Sequence, residues 1–387
     1  MSDIYWVDAR AEIPYPEVAK GKVSFFQPAL SLVNKMEKLI QKSGILNIVE
    51  KDDHVAVKMH WGTESTTRTI RSIFIRKVVE MLNEKGAYVF ITESAGLGMG
   101  KTRCYGIGRL QYAQIAGYTF ETCLAPLIPA DGLQGFDHIR VQVEGQQLKE
   151  VYIAKMIAEA DKVLSLAHVK GHPRAGIGAS IKNLGVGCAA KPSKFMIHFY
   201  DEYPRIDESK CNNCGKCRDI CPAGAITDGY SILPEICEDF RCLGCYEVCR
   251  EQRAIPLTWC NSKDTATRIV DAAKAVIDTV GKENFAFLNF ILDVTPVCDC
   301  VPYSDTPVVP DLGILAGFDP LAIDKASLDM INQAPILPGS VLTEHVENKL
   351  AAIYAESFEC NPSDLIAAAK KSQLGTIEYS PRKIEDL

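Results

Sequence analysis

Eight cysteines fall within residues 205–257, and their spacing restricts the fold of this segment more than any other feature of the sequence. The first four follow the pattern C-x2-C-x2-C-x3-C-P, which runs from Cys211 to Cys221 and Pro222. Three closely spaced thiolates on a tight loop can bind three corners of one iron–sulfur cube, while the fourth points toward a second cube. Gly215 is small enough to let backbone amides approach the cluster sulfurs.

A second run, from Cys237 to Cys249, repeats this plan as C-x4-C-x2-C-x3-C. The repeat continues beyond the cysteines, because Ala225-Ile226 is echoed by Ala254-Ile255. This internal repeat predicts two [4Fe–4S] clusters with crossed ligation. Cluster 1 takes Cys211, Cys214, Cys217 and Cys249, and cluster 2 takes Cys237, Cys242, Cys245 and Cys221. A pair of structural zinc sites is the alternative, but such sites rarely show four closely spaced cysteines ending in Cys-Pro.

The second run leaves the usual register at its first ligand. Counting back from Cys242 by the standard spacing gives Asp239, whereas Cys237 lies two residues earlier. Thiolates are the preferred ligands of iron–sulfur sites, and a slightly longer loop costs little entropy. We therefore expect Cys237, and not Asp239, to bind cluster 2.

The bulk properties of the chain exclude several other classes of protein. The N-terminus has no basic segment followed by an apolar one, which predicts a cytoplasmic protein whose 15 cysteines stay reduced. These cysteines are therefore expected to bind metal or to take part in redox chemistry. The net charge of −7 argues against nucleic-acid binding. No apolar run approaches the roughly 20 residues of a membrane helix, so no membrane span is expected.

Strand and helix patterns alternate on both sides of the cysteine-rich segment. Strands are predicted at 54–60, 87–92, 161–169 and 285–294, and helices at 68–85, 110–116, 177–184, 265–280, 320–332 and 341–357. This alternation predicts an α/β fold, with a mainly parallel sheet and helices on both faces. The pattern breaks at Tyr203 and resumes after Pro256, which favours one discontinuous α/β domain, 1–204 and 258–387, interrupted by a small domain at 205–257. Three independent domains are the alternative.

Polar residues follow the predicted strand at 161–169. Lys170, His172 and Arg174 lie in the loop beyond it, before Lys182-Asn183. Ligands bind at the carboxyl ends of parallel strands, so this loop is expected to hold a small anionic substrate, with Lys170 and His172 as candidate catalytic residues. A solvated surface loop is the alternative.

The motif Cys298-Asp-Cys300 follows the predicted strand at 285–294. Its two thiolates could bind a further metal, with Asp293 or His172 nearby. Two reduced, buried cysteines are the alternative.

Residues 95–102 imitate the phosphate-binding pattern G-x4-G-K-[ST], but Ala95 stands where the first glycine is required. Gly106 and Gly108 are expected to weaken the helix that should follow. We therefore expect a glycine-rich loop that shapes the pocket, and not a nucleotide site.

The segment 205–257 resembles the two-cluster bacterial ferredoxins. The whole chain resembles the family catalogued as domain of unknown function 362, whose members often pair an α/β domain with such a module. The likeness rests on residues 168–172, 182–188, 293–300, 311–316 and 319–325. It implies an α/β fold with an inserted small α+β ferredoxin-like 2[4Fe–4S] module, and it implies no settled reaction.

These features predict an iron–sulfur electron-transfer protein, an oxidoreductase component that relays electrons through two [4Fe–4S] clusters to a site on the α/β domain. Its expected partners are a soluble redox donor or acceptor and a small anionic substrate. One alternative is a non-catalytic ferredoxin-type carrier or accessory protein. Another is a metal-handling or cofactor-assembly protein that uses Cys298, Cys300 and His172.

Overall fold

A computed structural model describes residues 1–100 and 102–384, and its largest element is one eight-stranded sheet. The strands are β1 (Ser2–Asp8), β2 (His54–Lys58), β3 (Tyr88–Glu93), β4 (Leu127–Pro129), β5 (His138–Gln142), β6 (Glu150–Ala154), β7 (Lys162–His168), β8 (Lys170–His172), β9 (Gly176–Gly178), β10 (Phe285–Ile291), β11 (Gly313–Gly317) and β12 (Tyr379–Lys383). The order in the large sheet is β12-β1-β11-β10-β7-β2-β3-β4, while β5 pairs with β6 and β8 with β9.

Most neighbouring strands of the large sheet are parallel. Strand β11 is the exception, since it runs antiparallel to both β1 and β10. The remaining pairs of this sheet are parallel. Every residue of β10 is buried, as expected for a strand covered on both faces. The predicted α/β fold with a mainly parallel sheet is confirmed.

Helices cover both faces of the sheet. They are α1 (Tyr15–Ala19), α2 (Leu32–Ser43), α3 (Ser72–Glu84), α4 (Gly106–Ile115), α5 (Phe120–Cys123), α6 (Lys155–Ala158), α7 (Ser180–Gly185), α8 (Lys191–His198), α9 (Lys216–Ile220), α10 (Pro234–Cys237), α11 (Gly244–Val248), α12 (Ser262–Val280), α13 (Pro320–Gln333), α14 (Lys349–Phe358) and α15 (Pro362–Lys371). Alternate residues of β10 enter two apolar clusters: Phe287 belongs to the cluster that includes residues of α12, and Leu288 to the one that includes residues of α2. Among the described residues, no helix combines the length and the apolar character that crossing a membrane requires.

The cysteine-rich segment leaves the α/β domain and returns to it at neighbouring points. Phe199 and Trp259 form an antiparallel bridge, and the Tyr200 N–H donates to the Thr258 carbonyl at 2.9 Å. Residues 205–257 therefore have the connection expected of an insertion, and the exact domain boundaries stay a prediction.

Five predicted helices begin elsewhere in the structure: those expected from residues 68, 110, 177, 265 and 341 begin at Ser72, Gly106, Ser180, Ser262 and Lys349. Helix α4 begins at Gly106 itself, the first of the two glycines that were expected to weaken a helix. A Cβ at Gly106 would lie 2.3 Å from the Gly132 carbonyl oxygen, so close packing requires glycine there despite its low helix propensity. Helix α14 begins at Lys349 and not at Val341, since residues 341–348 form bends and chain without regular secondary structure.

Candidate functional site

The cysteine-rich segment contains two cavities, each lined by four cysteines. The first, of about 60 Å³, is lined by Cys211, Cys214, Cys217 and Cys249. The second, of about 20 Å³, is lined by Cys221, Cys237, Cys242 and Cys245. Each cavity thus combines three cysteines of one run with the last cysteine of the other. Asp239 is exposed and lies outside the lining of both cavities.

Matching local structures bring these cysteines together. A residue in the left-handed region precedes each of two short helices: Gly215 (φ +78°) before α9 and Leu243 (φ +67°) before α11. This conformation costs a residue other than glycine about 1–2 kcal/mol, which the surrounding packing must offset. Ile226 and Ile255, the echoed isoleucines of the sequence repeat, pack together against Cys217.

The separation of the sulfurs indicates what these cavities can hold. One zinc ion with Zn–S bonds of about 2.3 Å places its tetrahedral sulfurs roughly 3.8 Å apart. Among the described residues, the group of three or more metal-binding side chains whose ligand atoms all lie within 4.8 Å is His172, Cys298 and Cys300. No three of the eight cysteines of residues 205–257 meet this criterion in the described part of the chain, so they do not form the compact set of ligands that one zinc ion requires.

A third and larger cavity, of about 150 Å³, lies at the carboxyl edge of the parallel strands. Its walls include the last residues of three strands: Lys58 of β2, Glu93 of β3 and His168 of β7. Cys300 reaches it from the loop after β10. This is the edge where α/β sheets bind ligands, and we call this space the cationic cavity.

Three lysines give the cationic cavity its charge. Lys58 donates to Asn183 Oδ1 at 2.8 Å, Lys194 donates to Ser94 Oγ at 2.7 Å, and Lys182 lies 3.3 Å from Cys298 Sγ. Within residues 1–100 and 102–384, none of the three has a carboxylate within 4.0 Å. Burial lowers the pKa of Lys58 to about 8 and that of Lys194 to about 7. Lys58 and Lys194 are buried and have no carboxylate counter-ion in the described part of the chain, and such ammonium groups favour an anionic ligand.

Lys170 and His172, the candidate catalytic residues, both line the cationic cavity. Lys170 Nζ lies 2.9 Å from a carboxylate oxygen of Asp299. His172 Nδ1 accepts hydrogen bonds from the backbone N–H groups of Arg174 and Ala175, at 3.2 and 3.0 Å. Burial, together with the nearby Lys182 ammonium, holds the pKa of His172 well below its usual range, so the ring is neutral.

Arg174 lies outside this cavity. Its guanidinium stacks on Trp259, 5.0 Å from the ring centre, and donates to the Cys260 carbonyl at 3.1 Å. The other polar residues expected in the loop, Lys182 and Asn183, do line the cavity.

Sequence reasoning missed a buried charged group in the same wall. Glu93 is 4% exposed and binds Arg109, His60 and the Trp61 N–H. Burial lowers the pKa of His60 well below its usual range, so this ring is neutral too. The position of Glu93 at the end of a predicted parallel strand was the signal that could have revealed it.

The two cysteines of the Cys298-Asp-Cys300 motif come close to His172, while Asp293 does not join them. The ligand atoms of His172, Cys298 and Cys300 lie within 4.8 Å of one another. The Asp293 carboxylate instead binds Arg68 and Arg71, at 2.6 and 2.7 Å.

A glycine-rich loop connects the cationic cavity with the cysteine-rich segment. Leu97 lines the cavity and packs against the small apolar cluster of Phe195, Phe199 and Leu243. The Met99 N–H donates to the Glu247 carboxylate at 2.8 Å. Lys101, which belongs to the segment 95–102 that imitates a phosphate-binding pattern, lies outside the described residues.

The fold and these sites define an α/β protein whose clustered cysteines are compatible with metal or iron–sulfur binding. A family model described as Domain of unknown function (DUF362) matches residues 55–329. This match covers more than half of the chain, so the chain belongs to that family, as predicted. No curated protein sequence matches the chain.

Two solved structures resemble part of the chain. One is the lactate racemase apoprotein from Thermoanaerobacterium thermosaccharolyticum, with 12% identity over 76% of this chain and a TM-score of 0.33. The other is a structural-genomics protein from Thermotoga maritima, with 8% identity over 76% of this chain and a TM-score of 0.37. The chain spans 51% and 57% of the lengths of these two proteins.

Proposed function

We propose that this chain is an oxidoreductase component with two [4Fe–4S] clusters, which supply electrons to an acceptor in the cationic cavity. The lining of the two small cavities by crossed sets of four cysteines carries this proposal. Cluster 1 would be held by Cys211, Cys214, Cys217 and Cys249, and cluster 2 by Cys221, Cys237, Cys242 and Cys245. The spread of these sulfurs supports clusters over single zinc ions.

The exposure of the cysteines favours a direction for electron flow. Cys214 is exposed, so the first cavity is accessible to a soluble redox donor in the cytoplasm. The second cavity is lined by Leu243, a member of the apolar cluster against which Leu97 in the wall of the cationic cavity packs. The cysteine-rich segment is part of the same chain, so its distance and orientation relative to the cationic cavity would be fixed. A diffusing electron carrier has to find both at each encounter.

The acceptor is proposed to be a small anion. Lys58 and Lys194 point to this class because neither of them has a carboxylate partner in the described part of the chain. Lys170 and His172 line the same cavity and are proposed to contact the bound acceptor.

A metal-handling role is the second candidate, since the ligand atoms of His172, Cys298 and Cys300 lie within 4.8 Å of one another. It requires that His172 give up the two backbone hydrogen bonds at Nδ1 or the proton on Nε2. Stoichiometric nickel, zinc or iron beyond the cluster iron, in protein purified without oxygen, would support this role over electron transfer.

The electron-transfer proposal can be tested with lysine variants. Anaerobically reduced protein is mixed with small acceptors that carry carboxylate, sulfonate or phosphate groups, and oxidation of the clusters is followed by absorbance. Removing one charge-assisted bond costs about 1.5–3 kcal/mol, so Lys58→Met or Lys194→Met should slow oxidation by at least about tenfold. Lys191→Met is the matched control, since Lys191 is another buried lysine of α8 but faces the rings of Tyr105 and Phe136. Equal rates in the cavity variants and in the control would contradict the proposal.

A further inference from the structure

Cys298 and Cys300 lie in one tight turn at the wall of the cationic cavity. The turn is closed by the Val301 N–H, which donates to the Cys298 carbonyl at 3.1 Å. Between the two cysteines, Asp299 is buried and binds His168 Nδ1 at 2.8 Å and Lys170 Nζ at 2.9 Å. The turn is therefore anchored by charged partners, and the two thiols that flank Asp299 are held close together.

The surroundings of Cys298 stabilise a thiolate. Lys182 Nζ and the Cys300 N–H each lie 3.3 Å from Cys298 Sγ. A hydrogen bond from the Cys300 thiol, reinforced by the Lys182 ammonium against the effect of burial, holds the pKa of Cys298 well below its usual range. The same hydrogen bond raises the pKa of Cys300.

The geometry of His172 argues against a metal ion at this pair. A neutral imidazole has one ring nitrogen that accepts and one that donates. His172 Nδ1 already accepts two backbone N–H bonds, so Nε2 carries the proton and has no lone pair for a metal. Asp293 is bound by two arginines and supplies no replacement ligand. Two thiolates without a third ligand make a poor site for the usual tetrahedral metals.

We propose that Cys298 and Cys300 form a redox-active dithiol that closes to a disulfide and carries two electrons to the anionic acceptor. In the reductive step the S–S bond breaks, two electrons enter, Cys298 leaves as the thiolate and Cys300 takes up one proton. In the oxidative step the dithiol gives two electrons and the Cys300 proton to the acceptor, and the S–S bond forms again. The two electrons come from a low-potential donor that gives one electron at a time, as an iron–sulfur cluster does.

This inference rests on the proposed function and deepens it. Two clusters that each carry one electron match the two electrons that one disulfide requires. Cys300 lines the same cavity as Lys58 and Lys194, so the dithiol would lie beside the bound anion. Stabilisation of the Cys298 thiolate by Lys182 makes the disulfide easier to reduce, which suits an electron sink.

The direct test is mass spectrometry on the full chain. Protein is oxidised with a mild disulfide-forming reagent, alkylated in denaturant with iodoacetamide, and digested. The peptide that contains residues 298–300 should be unalkylated and lighter by two hydrogens, and dithiothreitol or dithionite should restore two alkylatable thiols. Cys123, a buried thiol at the end of α5, should be alkylated in every sample. Two alkylated thiols at 298 and 300 after oxidation, or a stoichiometric metal bound by them, would overturn the inference.

A second measurement uses Lys182. Lys182→Met should shift the equilibrium of the pair with a thiol–disulfide buffer about tenfold toward the disulfide, because the thiolate loses its cation. Lys182→Arg should restore the wild-type equilibrium. An unchanged equilibrium in Lys182→Met would show that this lysine does not stabilise the thiolate.

Electron counting separates failure of this inference from failure of the proposed function. The oxidised wild-type chain should take up about four electrons, and Cys298→Ser about two, with unchanged cluster spectra. If the protein lacks iron but Cys298 and Cys300 still form a disulfide that dithiothreitol reduces, only the proposed function is overturned. If the clusters are intact but Cys298 and Cys300 never form a disulfide, only the dithiol inference is overturned.

Discussion

The cysteine-rich segment and the cationic cavity are held together in different ways. Residues 205–257 contain three helices of four or five residues, and Cys217, Ile226 and Ile255 form only a small apolar cluster there. The cationic cavity is formed by the ends of β2, β3 and β7, strands whose side chains belong to the two large cores of the sheet. We infer that the first region depends on bound clusters for its order, while the cavity is preformed.

The largest expected effect follows from removing the metal. Stripping iron anaerobically with a chelator should unfold residues 205–257 and leave the α/β domain folded, since metal-binding energy is folding energy in small metal domains. Limited proteolysis should then cut this segment at least about tenfold faster than in the untreated protein, with the rest of the chain intact. Cleavage spread evenly along the chain would show that the two regions do not differ in this way.

A smaller effect, confined to one cluster, is expected from the altered register of the second run. Cys237 lines the second cavity, while Asp239 is exposed. Cys237→Ala should convert cluster 2 to a three-iron form or lose it, because one corner of the cube loses its thiolate. Asp239→Ala is the matched control and should leave the electron paramagnetic resonance spectrum nearly unchanged. The opposite result would show that the run is used in the ordinary register.

The smallest expected effect is the dependence on pH of the affinity of the cationic cavity for an anion. Lys194 has a pKa of about 7 and Lys58 of about 8, lowered chiefly by burial. A bound anion raises both values, so binding takes up protons and is tightest below the pKa values of the free protein. Sulfate keeps a constant charge, and its affinity measured by calorimetry should fall at least about tenfold between about pH 6 and about pH 9. The control Lys191→Met should keep this profile, and a flat profile in the wild type would exclude sulfate binding at these lysines.

The same comparison explains how much the sequence could predict. In the cysteine-rich segment the candidate ligands lie within about forty residues and repeat at fixed spacings, so local pattern was enough to propose two crossed sets. The cavity, in contrast, gathers Lys58, Glu93 and Lys194 from segments far apart in the chain. Lys170 and His172 were found because they follow a predicted strand, and Glu93 was missed although the same rule applies to it.

Other features depend on contacts that a single sequence does not reveal. Strand β11 pairs antiparallel with β1 and β10, although the alternating pattern predicts parallel neighbours. Asp293 lies close to the Cys298-Asp-Cys300 motif in sequence, but two arginines from the segment before α3 bind its carboxylate. Helix α4 has glycine at position 106 because the Gly132 carbonyl approaches it closely, a long-range constraint that outweighs helix propensity.

The eight cysteines of residues 205–257 are proposed to bind two four-iron clusters, and metal analysis tests this proposal most directly. Protein purified without oxygen, from cells with working cluster assembly, is assayed for iron, acid-labile sulfide and zinc. The account predicts close to eight irons and about eight sulfides per chain, with zinc absent. Stoichiometric zinc without sulfide would contradict it.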